Sequence, residues 1–182
     1  MKIGIFGITA NPPHLSHLRA IKKVLENVDE VWVTLVYNHA FGKSFIDYEK
    51  RLSMLKLLVE EEVNPNIKIK ELDKEYFLKF NETVYSYNLL KEIKKDLPNY
   101  EFKLVIGADN YKPEVWSKFY KYKEIEKEFG VIIIEDVGCH STDIRNMIKN
   151  NEDVTKLVGK EIKEYIDLNN LYKESERKLC KM

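Results

Sequence analysis

The chain has 182 residues, 30 basic against 30 acidic side chains, and 44% hydrophobic residues. That length suits one domain that buries roughly 70% of its unfolded surface without a disulfide or metal staple. The even charge argues against a general nucleic-acid binder. The two distant cysteines, Cys139 and Cys180, make no disulfide framework, and no apolar run reaches the roughly 20 residues of a membrane span. The expectation is a cytoplasmic protein.

Taken in order, short β-branched runs alternate with amphipathic ones. Residues 2–6 read as a strand and 15–27 as a helix, with Leu15, Leu18, Ile21, Val24 and Leu25 at helical spacing. Strand 30–36, helix 47–61, strand 66–71, helix 83–96, strand 102–106, helix 118–128 and strand 131–135 follow. Helical segments near 142–149 and 158–170 close the pattern. Apolar strands that alternate with helices need cover on both faces, which predicts an α/β fold with a doubly wound, mostly parallel sheet. Residues 1–170 read as one domain and 171–182 as a polar tail.

Ligands of such sheets bind beyond the carboxyl ends of the strands. All four histidines sit there in sequence: His14 and His17 after the first strand, His39 after the second and His140 after the fifth. A spacing of three puts His14 and His17 on one face of a helix's first turn, where unpaired N–H groups and the helix dipole welcome an anion. Gly7 would let the chain approach it closely. The spacing alone leaves open a partial metal site or plain surface histidines. After the second strand, "NHAFGKSF" offers Lys43, a mobile point charge suited to phosphate or a solvated loop lysine. In "VIGADNYKPEVW", Gly107 permits close approach, Asp109 is either a ribose acceptor or a helix cap, and Trp116 either stacks on a flat ring or fills a core. In "CHSTDIRNMI", Ser141, Thr142 and Arg145 open a helix and read as a polyphosphate site or as a plain capped helix.

In this order, "FGITANPPHLSH", Lys43, "GAD" with a following Trp, and "STDIR" resemble the nucleotidyltransferases with an HxGH-type signature. More narrowly they resemble the nicotinate or nicotinamide mononucleotide adenylyltransferases. "LVGKEIKEYI" is similar to that family's closing segment, so the likeness runs from about Gly4 to Ile166. The chain departs from the pattern at Ile8, Ala10, Ser16 and His140, and carries Asn11 where aspartate is common. The resemblance implies a Rossmann-like nucleotidyltransferase fold and transfer of AMP from ATP to a pyridine mononucleotide, with pyrophosphate released. It implies His14, His17, Lys43 and Arg145 as catalytic residues. Gly7, Ile8, Thr9, Gly107, Asp109, Ser141, Thr142 and Arg145 would bind ATP, and Trp116, Tyr85, Ser86 and Asn11 the mononucleotide. Mg2+ would be held mainly by the substrate phosphates, with no protein metal site.

The partners expected are ATP and the mononucleotide, without nucleic acid or membrane. A homo-oligomer and the choice between nicotinate and nicotinamide stay open. The alternatives are another transferase of the superfamily, acting on phosphopantetheine, FMN or a cytidylyl group, and a non-catalytic nucleotide sensor. A metal-dependent hydrolase built on the four histidines lacks a carboxylate cluster in the sequence.

Overall fold

A computed structural model of the chain describes residues 1–38, 45–135 and 138–173. His39 and Lys43 therefore lie outside the described residues. Contacts divide the chain into two compact units. The first comprises residues 1–9, 19–45 and 64–137, the second residues 10–18, 46–63 and 138–182.

The first unit holds five parallel strands: β1 (Lys2–Ile8), β2 (Glu30–Leu35), β3 (Ile67–Ile69), β4 (Glu101–Gly107) and β5 (Val131–Ile134). Their order is β3-β2-β1-β4-β5, so the winding reverses at β1. Every residue of β2 is buried, as expected of a strand covered on both faces. On one face Ile3, Ile5, Phe102, Leu104 and Ile106 join helices α4 (Ser86–Asp96) and α7 (Tyr122–Glu128) through Leu90 and Ile125. On the other, helix α1 (Leu15–Leu25) turns Ile21 and Val24 inward. Gly4 lets that helix come close, since a Cβ there would lie 2.9 Å from a methyl carbon of Val24 and 3.1 Å from one of Val105.

Several boundaries differ from the sequence pattern. Strand 66–71 shrinks to Ile67–Ile69, and a helix α3 (Leu72–Phe80) follows it at once. The alternation of apolar Ile67 and Ile69 with polar Lys68 and Lys70 breaks at Glu71, where an apolar residue is due. Predicted helix 83–96 starts only at Ser86. Predicted helix 118–128 starts at Tyr122, after Lys121 in a left-handed conformation (φ 54°), and two short helices precede it: α5 (Ala108–Tyr111) and α6 (Pro113–Trp116).

The second unit contains α2 (Tyr48–Glu60), α8 (Ser141–Lys149), α9 (Thr155–Val158) and α10 (Lys160–Leu168). Asp47 caps α2 by accepting from the N–H groups of Glu49 at 2.9 Å and Lys50 at 3.3 Å. Segment 158–170 is not one helix. Gly159, at φ +91°, separates α9 from α10, and the Glu61 carboxylate fills the space where a Cβ would stand. Leu171 and Tyr172, expected as the start of a polar tail, are buried in this unit, because both are large apolar-bodied side chains next to an amphipathic helix.

Gly4→Ala is expected to lower stability by about 1–3 kcal/mol, since the β-branched Val24 has few ways to yield. A urea unfolding curve with an unchanged midpoint would contradict the close approach of α1.

Candidate active site

β1 ends at Ile8, whose carbonyl accepts from the N–H of Val36 at 2.9 Å. The chain then passes through Ala10, left-handed at φ 49° and fully buried. Asn11, Pro12, Pro13 and His14 are also buried. α1 starts at Leu15, so His14 stands just before the helix and His17 in its first turn. The N–H of His17 donates to the His14 carbonyl at 2.8 Å. The N–H of His14 donates in return to Nδ1 of His17 at 3.2 Å. The two rings stand 3.8 Å apart between centroids. Ser16, between them, is buried at 2% exposure.

This geometry decides the state of His17. Loss of water around the ring, and then the neighbouring His14, hold its pKa well below the usual imidazole value. The ring is neutral at pH 7. With Nδ1 occupied as an acceptor, its proton rests on Nε2. His17 therefore offers an N–H donor without a net charge.

α8 meets this loop with two polar side chains, Ser141 and Arg145, while Thr142 bonds Arg145 within the helix. Ser141 Oγ donates to the Pro12 carbonyl at 2.8 Å. Arg145 Nη1 donates to the Asn11 carbonyl at 2.7 Å, and Nη2 to Thr142 Oγ1 at 3.1 Å. His140 occupies the N-cap position, yet its side chain makes no capping bond. None of the residues Ser141, Thr142 or Asp143 is the cap, although all are of capping type. The Asn11 side-chain oxygen is buried and has no hydrogen-bond partner. It is an acceptor in need of an O–H or N–H donor. His14, His17, Asn11, Ser141, Thr142 and Arg145 thus gather in the second unit.

The remaining expected residues lie in the first unit. Gly7 is exposed near the end of β1, Ile8 is buried and Thr9 is half-buried. Gly107 ends β4, and a Cβ there would meet nothing within 4 Å. Asp109 is exposed and paired with Lys112 at 2.5 Å. Tyr85 precedes α4, is exposed and packs against Tyr120 at 5.0 Å. Ser86 opens α4 and is half-buried. Trp116 is only 4% exposed, wedged against Tyr111 and Phe119, with its indole N–H donating to Glu126 at 2.8 Å. In this packing its ring presents almost no face to a ligand.

Two features escaped the sequence: the carbonyls of Asn11 and Pro12, and Glu126 as the indole's partner. Backbone acceptors leave no side-chain signal, and one glutamate among many is unmarked. Among the described residues, no cluster of three or more His, Cys, Asp or Glu side chains could hold a metal ion. The two close imidazoles are also poor partners for a hard cation, which prefers oxygen. Nucleotidyltransferases of the kind that the sequence resembles generally use a divalent metal with ATP. No helix among the described residues is long and apolar enough to cross a membrane.

The five-stranded parallel sheet, with its winding reversed at β1, is that of a nucleotidyltransferase. The chain belongs to the cytidylyltransferase-like family, whose family model matches residues 5–147. It is 31% identical to a Flavobacterium johnsoniae protein named "Probable nicotinate-nucleotide adenylyltransferase", over 96% of this chain and 100% of the other. It is 28% identical to the nicotinate-nucleotide adenylyltransferase of Bacillus subtilis, over 94% and 98%. A crystal structure from Vibrio parahaemolyticus, assigned as a nicotinate-nucleotide adenylyltransferase, superimposes with a TM-score of 0.79 at 28% identity, covering 95% of this chain and 96% of that one.

Because the folded pKa of His17 is depressed, the unfolded chain binds more protons between the usual imidazole value and the lower one. Stability therefore rises with pH across that window and falls as pH drops through it. His17→Gln is expected to flatten this part of the stability–pH curve. An unchanged slope in denaturant titrations at several pH values would contradict the buried neutral ring.

Proposed function

We propose that the chain transfers the adenylyl group of ATP to nicotinate mononucleotide, releasing pyrophosphate and forming the dinucleotide that leads to NAD. The observation that carries this reading is the joining of the imidazole pair to Arg145 through the loop at 11–12. The names of the relatives supply the acceptor.

The reaction needs two anions brought into line. An oxygen of the mononucleotide's 5′-phosphate attacks the α-phosphorus. The new P–O bond forms as the bond to the bridging oxygen breaks, and pyrophosphate takes the electron pair. The protein's part is alignment and charge stabilisation by fixed donors. His17 Nε2–H meets a phosphate oxygen without the cost of moving a proton, and His14 lies beside it. Arg145 uses two of its five N–H groups on Thr142 and Asn11, and the others face phosphate. Thr142 accepts from Arg145 and keeps its own O–H to donate. Lys43 takes the triphosphate as a mobile charge. The backbone of Gly7, Ile8 and Thr9, with the first N–H groups of α8 at Ser141, holds the phosphates closely.

Gly107 and Asp109 take the adenosine ribose, with open space beside Gly107. Asn11, through its unpartnered oxygen, accepts from a hydroxyl of the mononucleotide, while Tyr85 and Ser86 flank the pyridine ring. Trp116 joins them once ligand binding moves Tyr111 or Phe119 away from the indole. ATP enters as its Mg2+ complex. In this reading residues 1–170 act as one nucleotidyltransferase domain in the cytoplasm, on small nucleotides alone.

Pyrophosphate release, measured with ATP and each mononucleotide in parallel, is expected to be faster with the nicotinate form. His17→Ala is expected to lower kcat by about 10²–10³-fold with the fold intact. No release with either acceptor, or near-wild-type turnover in the variant, would overturn the reading. A second readout concerns Trp116. Its fluorescence, isolated by Trp32→Phe, is expected to change on addition of the mononucleotide, and a signal unaltered at saturation would remove Trp116 from the ring site.

A further inference from the structure

We propose that Ser141 is a positioning residue: its hydroxyl locks the loop that carries His14 and His17 and does not bind the nucleotide. The proposal rests on the reaction given above and narrows the role of one side chain in it.

The argument is a count of donors. A serine hydroxyl has one proton to donate. That of Ser141 goes to the Pro12 carbonyl at 2.8 Å. Phosphate oxygens are themselves acceptors, so while this bond stands the hydroxyl has nothing to offer them. Arg145 and Thr142 differ. The guanidinium retains N–H groups beyond the two it spends, and Thr142 accepts its bond and keeps its proton. Of these three side chains of α8, Ser141 alone commits its sole donor to the loop.

The loop needs such a tether. Pro12 and Pro13 are adjacent, and neither has an N–H. Across these two positions the backbone can be held only through its carbonyls. The Pro12 carbonyl lies two residues before His14, whose N–H sets Nδ1 of His17. A shift at Pro12 passes to the backbone of His14 and from there to the ring of His17. The serine therefore acts on the donor nitrogen of His17 from a distance.

The test uses the full chain as wild type, Ser141→Ala and Ser141→Thr, the last keeping the hydroxyl. Two readouts are taken: two-bond proton–nitrogen NMR of the His17 ring, and steady-state kinetics with MgATP and nicotinate mononucleotide. Wild type is expected to show a single neutral Nε2–H tautomer at pH 7. Ser141→Ala is expected to show mixed tautomers and a kcat lowered roughly tenfold, with KM for ATP within about threefold of wild type. Ser141→Thr is expected to restore both. A raised KM for ATP at unchanged kcat would put the hydroxyl on the triphosphate and overturn the proposal. So would a His17 spectrum unmoved by Ser141→Ala. Absence of turnover in wild type would defeat the proposed reaction alone, because the NMR readout still decides the positioning role. If Ser141→Ala does not fold, Ser141→Cys, close in size but a weak donor, carries the same two readouts.

Discussion

The site depends on two hydrogen bonds that α8 makes to consecutive carbonyls, Ser141 to Pro12 and Arg145 to Asn11, across sequence separations of 129 and 134 residues. They join a helix near the end of the fold to a loop near its start. Without them the imidazoles and the guanidinium would belong to separate parts of the chain. With them, the loop that leads to His14 and His17 is joined to the helix that carries Arg145. Each of these carbonyls is buried, so losing its partner would leave a desolvated acceptor as well as a looser loop.

The charge state of the imidazoles follows from the same packing. Two rings at 3.8 Å would repel each other if both were protonated, and burial already disfavours the charged form. The arrangement keeps His17 neutral, while Arg145 holds a charge that it cannot lose. For a reaction that gathers negative charge this division is useful. In the proposed reaction the guanidinium would attract the substrate at any pH near neutrality, and the imidazole would supply a directed N–H whose proton need not be acquired first.

The sheet edge in the first unit is built differently. Gly107 leaves open space, Asp109 is held by a surface lysine, and Trp116 is packed with aromatic neighbours and tied to Glu126. Surface ion pairs of the Asp109 kind are weak, so the carboxylate can exchange Lys112 for a ligand hydroxyl at little cost. The indole is bound more firmly, by both burial and a hydrogen bond. If Trp116 is to meet a ring as proposed, its aromatic neighbours must first move aside.

Local pattern was enough to determine the alternation of strands and helices, the parallel sheet and the grouping of histidines after strands. β-branched runs must be buried on both faces, and helical spacing must cover them. Taken singly, "HLSH" and "STDIR" fitted a plain helix start as well as an anion site, and only their order along the chain carried the family resemblance. What lay beyond it depends on contacts between distant segments. The break at Gly159, whose Cβ space the Glu61 carboxylate fills, depends on a neighbour remote in sequence. The same holds for Trp116, whose residue type fits a core and a ligand face equally well until Tyr111, Phe119 and Glu126 are seen around it. The tie of Ser141 and Arg145 to backbone carbonyls could not be read at all. A carbonyl is present at every position, and only the folded chain decides which ones lack a partner of their own.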